Sequence, residues 1–287
     1  SDVYKRQRYI TVLEGIEDYV GENVRVLYSE GCHLYRDRTS NLAMEHDRDS
    51  EVRAVCEASD VVIAVVGLDA TLEGEEGDTG NEYGSGDKPN LNLPGLQPDI
   101  IRIAKESGKP VIVVLLAGSA MALSWEDEHV DAILDGFYPG AQGGAAIAEI
   151  LFGGANPEGK LPITFYQTTE ELPEFTDYAM KGRTYRYMEN EALYPFGYGL
   201  SYTTYAYGNL ECVKPFDAQD GITLQVTVTN TGDREGTETL QVYVKAKREG
   251  TPNPQLKYVK KITLKPGESV TAVSYTHLRA HETRHDL

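Results

Sequence analysis

The sequence predicts an α/β fold, a parallel-sheet α/β sandwich, followed by a truncated antiparallel β-sandwich. Two observations carry the first part. Short Val/Ile/Leu runs recur, as in VVIAVV at 61–66 and VIVVLLAG at 111–118, and helix-like stretches separate them. Such runs mean parallel strands buried on both faces. A third observation carries the second part. After residue 204 β-branched residues alternate with polar ones, and Gly or Pro marks the turns, as in half-buried antiparallel strands.

Taken in order, VRVLYS at 24–29 reads as the first strand, residues 49–58 as a helix, and VVIAVV as the next strand. A helix opens after Pro94 and is stopped by SGKP at 107–110, whose Gly and Pro end it before VIVVLLAG begins. DAILDGF at 131–137 is a strand, 141–152 a helix and LPITF at 161–165 a last strand of this part. Residues 166–204 are rich in Tyr and Pro and read as an irregular connector lying on the α/β layer. ITLQVTVTNTGD at 222–233, TETLQVYVKA at 237–246 and YVKKITLKPGES at 258–269 supply the alternating strands. The expected domains are therefore 8–204 and 205–272. Too few strands remain for a sandwich of about seven, so the second domain is expected to be incomplete, with an exposed edge.

The two ends read differently. SDVYKRQ at 1–7 and VSYTHLRAHET at 273–283 match in-frame translations of a transposon-type sequencing adapter, and RHDL at 284–287 continues the second. Residues 1–7 and 273–287 are therefore set apart from the fold. The expectation that follows is a piece of a longer protein. Three of the six histidines, His277, His281 and His285, fall in the tail, so a metal site there would have no meaning.

A formal net charge of −18 argues against nucleic acid and anionic membrane as partners, because phosphates would be repelled. Cys32, Cys56 and Cys212 form no pattern that a disulfide framework or a metal would need. They suit a reducing compartment, and a cytoplasmic location is expected. No apolar run approaches the roughly 18 residues of a membrane span.

Several motifs have plain structural readings. GANPEGKL at 154–161 imitates a phosphate loop, but a helix precedes it, a strand is expected after it, and Leu161 stands where a hydroxyl is required. The glycines of PGAQGG at 139–144 have the wrong spacing for a dinucleotide loop and fit close helix packing. EDEHVD at 126–131 lacks ligand spacing and reads as a solvated loop. Trp125 reads as packing rather than a sugar platform.

GLDATLEGEEGD at 67–78 is different. A buried strand delivers Asp69, Glu73, Glu75, Glu76 and Asp78 to one loop, at the strand end where ligands of open parallel sheets sit. Crowded carboxylates cannot all ionise freely, so one is expected to keep its proton, as a general acid must. The bland reading is a charged surface excursion. GDKPNLNLPGLQ at 86–97 returns the chain after an excursion long for an idle connection.

These pieces, with KPVIVVLLAGSA at 109–120, FYPGAQGGAAIAEILFGGANPEGKLPITF at 137–165, RTYRY at 183–187, YPFGYGLSYT at 194–203 and TNTGDREGTETLQVYV at 229–244, run in one order. Together the chain resembles the C-terminal part of glycoside hydrolase family 3, the β-glucosidases and β-xylosidases. The resemblance implies an α/β sandwich domain followed by a fibronectin type III-like domain. It implies that a preceding (β/α) barrel, with its Asp nucleophile, belongs to the same protein and is absent here. It places the general acid/base of a retaining β-glycosidase on Glu75, with Glu73 as the fallback and Glu76 less apt. No metal or organic cofactor is implied. The substrate would be a β-linked oligosaccharide or glycoside, and the piece alone is expected to be inactive. Lys88 departs from the Arg of many relatives, replacing a bidentate fork by a point charge. The alternative to this reading is a non-catalytic carbohydrate-binding or scaffolding module.

Overall fold

The computed structural model describes residues 8–38, 40–73, 88–217, 221–245 and 251–276. The chain divides into two units, residues 1–155 with 165–174, and residues 156–164 with 175–287.

In the first unit, helix α1 (Val12–Val20) starts where the Thr11 hydroxyl accepts the Glu14 amide at 3.1 Å, and stops at Gly21 with φ 54°. Its Val12, Ile16 and Val20 recur every four residues and are buried. Then come α2 (Asp49–Glu57), β1 (Val62–Gly67), α3 (Gln97–Glu106), β2 (Val111–Leu116), α4 (Ser124–His129), β3 (Ala132–Asp135) and α5 (Gly143–Leu151). The strands form a parallel sheet in the order β1-β2-β3. Val111, Val113, Val114 and Leu115 of the central β2 have no exposure, which is why that run is unbroken. α1 and α5 bring Val12, Ile16, Val20, Ile147 and Ala148 around Val114. α2 and α3 bring Val52, Cys56, Ile103 and Ala104 around Val111, three residues away and so on the opposite face.

Close helix packing accounts for Gly144 of PGAQGG, whereas Gly140 stands at φ 73° with nothing near the place of a Cβ. A Cβ on Gly144 would strike the Thr11 carbonyl, one on Gly15 would strike the Gly144 carbonyl, and one on Gly143 would meet the Pro139 ring. α1 and α5 therefore approach to backbone contact.

Three expectations for this region need correction. VRVLYS at 24–29 is not a strand: Val24 is extended and exposed, and Val26 packs against the α1/α5 cluster without joining a ladder. LPITF is not a strand either, beyond a single bridge at Phe165. Pro162 has no amide to give, and the amide and carbonyl of Leu161 are bonded to Tyr198 and Gly197. EDEHVD is no solvated loop. Its first four residues lie in α4, with Glu126 buried, and His129 stacks on Trp125 at 4.3 Å while Arg102 covers the indole at 5.3 Å. Trp125 is packing, as read.

The second unit begins earlier than residue 205. Within it, Asn156 Oδ1 accepts the Ser201 hydroxyl and the Tyr202 amide, and Lys160 Nζ donates to the Gly199 carbonyl. GANPEGKL is thus a turn held by YPFGYGLSYT. The 166–204 connector is divided, 165–174 belonging to the first unit and 175 onward to the second. After a one-turn helix α6 (Thr184–Tyr187), strands β4 (Tyr205–Asp217), β5 (Gly221–Asn230) and β8 (Ser269–Thr276) form one antiparallel sheet in that order. Strands β6 (Gly236–Val244) and β7 (Gln255–Leu264) form the other. Val228 and Ala272 from one sheet meet Leu240, Ile262 and Leu264 from the other. Asn230, wholly buried, accepts from the Thr203 hydroxyl and the Gly232 amide and donates to the Arg234 and Leu264 carbonyls. All four of its side-chain bonding positions are used.

Residues 273–276, set apart from the fold above, pair with β5 in continuous register, Val273 opposite Gln225 and Ser274 opposite Leu224. Their chemistry suits the place poorly. Val273 is half exposed, while the hydroxyl of Ser274, buried, has no partner among the described residues.

Candidate active site

The parallel register sets Gly67 beside Leu116 and Leu115 beside Asp135, so all three strands end at one edge. β1 is locked there by α3. The Gln97 side chain accepts the Gly67 amide at 2.7 Å and donates to the Gly67 carbonyl at 2.9 Å and the Leu34 carbonyl at 2.6 Å. Gly67 has φ 142° and lies so close to the Leu116 backbone that no Cβ would fit.

Beyond Gly67 the chain makes one helical turn, with the Leu72 and Glu73 amides bonded to the Asp69 carbonyl at 3.0 Å. Asp69 Oδ1 caps the turn by accepting the Thr71 amide at 2.8 Å, and Leu72 is fully buried beneath it. Glu73 is thereby aimed across the strand ends. Its carboxylate accepts the Gly118 amide at 3.1 Å and the Ser119 hydroxyl, both just past β2, and the Tyr138 hydroxyl, just past β3. Lys88 Nζ stands 3.8 Å from it. One carboxylate ties together the ends of all three strands.

Burial alone would raise the Glu73 pKa. The bonds from Ser119, Tyr138 and Gly118 and the charge of Lys88 outweigh it, and Glu73 is held below the ordinary carboxylate range. Burial and the bond to Glu73 push Tyr138 up, keeping it a phenol that donates. The expected proton-holding carboxyl is therefore not Glu73. Lys88, pulled down by burial against the opposing effect of Glu73, donates to Ser119 Oγ at 2.7 Å, the Ala120 carbonyl at 3.0 Å and Met121 Sδ at 3.1 Å. Three acceptors around one ammonium suit a point charge better than a planar fork, which gives the Lys88 departure a physical reason.

The third strand adds a carboxyl that sequence reasoning did not single out. Asp135 Oδ1 accepts the Phe137 amide at 3.0 Å and holds Phe137 at φ 48°, a conformation disfavoured for a bulky residue, from which Tyr138 reaches Glu73. Asp135 Oδ2 is buried with no partner among the described residues, and burial raises the group's pKa. Gly118 is equally constrained, since a Cβ there would meet the Tyr138 ring at 2.6 Å. Ser119 and Tyr138 were legible only as endings of the VIVVLLAGSA and FYPG segments. Glu75 and Glu76 lie outside the described residues, as does Asp78.

Among the described residues no helix is long and apolar enough to cross a membrane. The model of the glycosyl hydrolase family 3 C-terminal domain matches residues 2–202, starting inside the segment 1–7 set apart above. A xylan 1,4-beta-xylosidase of Xylanibacter ruminicola is 44% identical over 215 residues, covering 74% of this chain and 24% of its own length. A periplasmic beta-glucosidase of Salmonella typhimurium is 38% identical over 290 residues, covering 91% of this chain and 37% of its own length. Its name places that relative outside the cytoplasm, so the expected cytoplasmic location rests on the three cysteines alone. Among solved structures, a GH3 exo-beta-xylosidase in complex with a xylobiose aziridine activity-based probe superposes with TM-score 0.79 at 26% identity, covering 95% of this chain and 37% of that one. The chain thus spans about a quarter to two-fifths of the length of these relatives.

Proposed function

This chain belongs to glycoside hydrolase family 3, and from that premise we propose that it supplies the general acid/base, Glu75, and part of the sugar site of a retaining β-glucosidase or β-xylosidase. The nucleophile, an Asp, comes from a barrel elsewhere in the longer protein. Glu75 protonates the departing glycosidic oxygen and then activates the water that releases the sugar, with the two carboxyls about 5 to 5.5 Å apart in the complete enzyme. No metal or organic cofactor takes part. The substrate is a terminal β-linked sugar of an oligosaccharide or glycoside.

The observation that carries this reading is the state of Glu73. The fallback acid is an ionised carboxylate already engaged by three donors. A group so held is a poor proton donor. That agrees with the family resemblance, which places the role on Glu75, two residues along the chain.

The experiment is Glu75→Gln in the full-length enzyme that contains this chain. Loss of a general acid slows hydrolysis of glycosides with poor leaving groups more than activated aryl glycosides, and azide partly restores turnover of the latter. Equal loss for both, without azide rescue, would reject Glu75. Residues 8–272 alone are expected to turn over neither substrate, because half of the carboxyl pair is missing.

A further inference from the structure

The excursion from Glu73 to Lys88 leaves and returns at a single side chain. Ser119 Oγ donates its proton to Glu73 and accepts one from Lys88 Nζ at 2.7 Å. The polarity is forced, because an ammonium only donates and an ionised carboxylate only accepts, so a hydroxyl between them has one orientation. We propose that Ser119 is a positioning residue, a clasp that closes the base of the acidic excursion by holding its first and last described residues together on the end of the central strand.

Three features support this. Ser119 follows β2, the most buried strand of the sheet, so the clasp is fixed to the stiffest part of the unit. Both partners are drawn out of solvent, with side chains 17% exposed for Glu73 and 13% for Lys88. Each is also held by further bonds, Glu73 by Gly118 and Tyr138 and Lys88 by Ala120 and Met121, so neither can swing away without breaking several. The inference rests on the reading of Glu75 as acid/base. It adds that Glu73, two residues before that group in the sequence, is held by a hydroxyl from outside the acidic segment. Misplacing a catalytic group by about 1 Å can cost 10²-fold.

The test compares Ser119→Ala, Ser119→Thr and Tyr138→Phe in the full-length enzyme, beside Glu75→Gln. Ser119→Ala is expected to lower kcat for a poor leaving group tenfold or more while KM stays within about twofold. Ser119→Thr, which keeps the hydroxyl, should retain most of the rate. Tyr138→Phe, which removes one of the Glu73 donors and spares Lys88, should cost a smaller factor and covers the case in which Ser119→Ala does not fold. In the full-length enzyme, Ser119→Ala should speed hydrogen exchange of the Leu72 and Glu73 amides tenfold or more. A folded Ser119→Ala enzyme with unchanged kcat, or a Thr variant as impaired as the Ala variant, overturns the clasp. So does an unfolded Ser119→Ala enzyme together with an unimpaired Tyr138→Phe. If Glu75→Gln proves harmless while Ser119→Ala is slow and Ser119→Thr is not, the clasp stands and the Glu75 reading fails.

Discussion

The clamp that Gln97 places on the end of β1 can be tested without any substrate. In Gln97→Leu the side chain keeps its size but cannot bond, leaving the Gly67 amide and carbonyl, both buried, without the partners they have at 2.7 and 2.9 Å. An unsatisfied buried group costs about 1–3 kcal/mol, so two cost about 2–6 kcal/mol, with a smaller loss at the Leu34 carbonyl. At roughly 2–4 °C per kcal/mol for a unit of this size, the central figure of about 4 kcal/mol lowers Tm by about 8–16 °C. Gln97→Glu should be worse at neutral pH, since it retains an acceptor for the Gly67 amide but turns a charged oxygen toward two carbonyls. It should recover partly as acid protonates it. Differential scanning calorimetry of the chain reads both variants. A Tm for Gln97→Leu within about 2 °C of wild type would refute the premise that this glutamine satisfies the strand end.

Other perturbations follow the same reasoning. Asn230→Leu removes four bonds at a fully buried amide and should destabilise the second unit by about 3–5 kcal/mol, seen in its own melting transition and not in that of the first. Gly144→Ala and Gly15→Ala force apart the same α1/α5 contact, so each should cost about 1–3 kcal/mol and the double variant less than the sum. Because the folded pKa of Glu73 is depressed, its stabilisation is present above the unfolded value near 4.5 and lost as pH falls through the folded value. Urea titrations of Glu73→Gln should therefore show a shallower loss of stability on acidification. Asp135 has the opposite sign. Its raised pKa adds stability below the unfolded value near 3.8 that is lost as pH rises through the folded value, so Asp135→Asn should flatten that dependence.

The fold was legible wherever burial on two faces wrote itself into an unbroken run. β1, β2, β3 and the helix α3 follow from that pattern, and β5, β6 and β7 from the alternating one, whereas α4 hid in a charged stretch that read as a loop. Reading failed where an apolar run had another use. VRVLYS offers one residue, Val26, to the core, and Leu161 spends its backbone bonds on a distant loop. No periodicity records such long-range choices, and the same applies to Asn156, which carries residues 156–164 into the second unit. At the site, the acids following a buried strand pointed to the C-terminal edge of the sheet, where the structure places Glu73. What their number could not show is that Glu73 is consumed by Gly118, Ser119 and Tyr138, because these lie 45, 46 and 65 residues away and only the parallel register brings them together.

The most direct measurement is the pH dependence of kcat/KM for an unactivated β-glycoside in the full-length enzyme, compared with Glu75→Gln and Glu73→Gln. The account predicts that Glu75→Gln abolishes the alkaline limb, which reports a protonated general acid, while Glu73→Gln keeps that limb at reduced rate. Loss of the limb in Glu73→Gln, with Glu75→Gln unchanged from wild type, would contradict it.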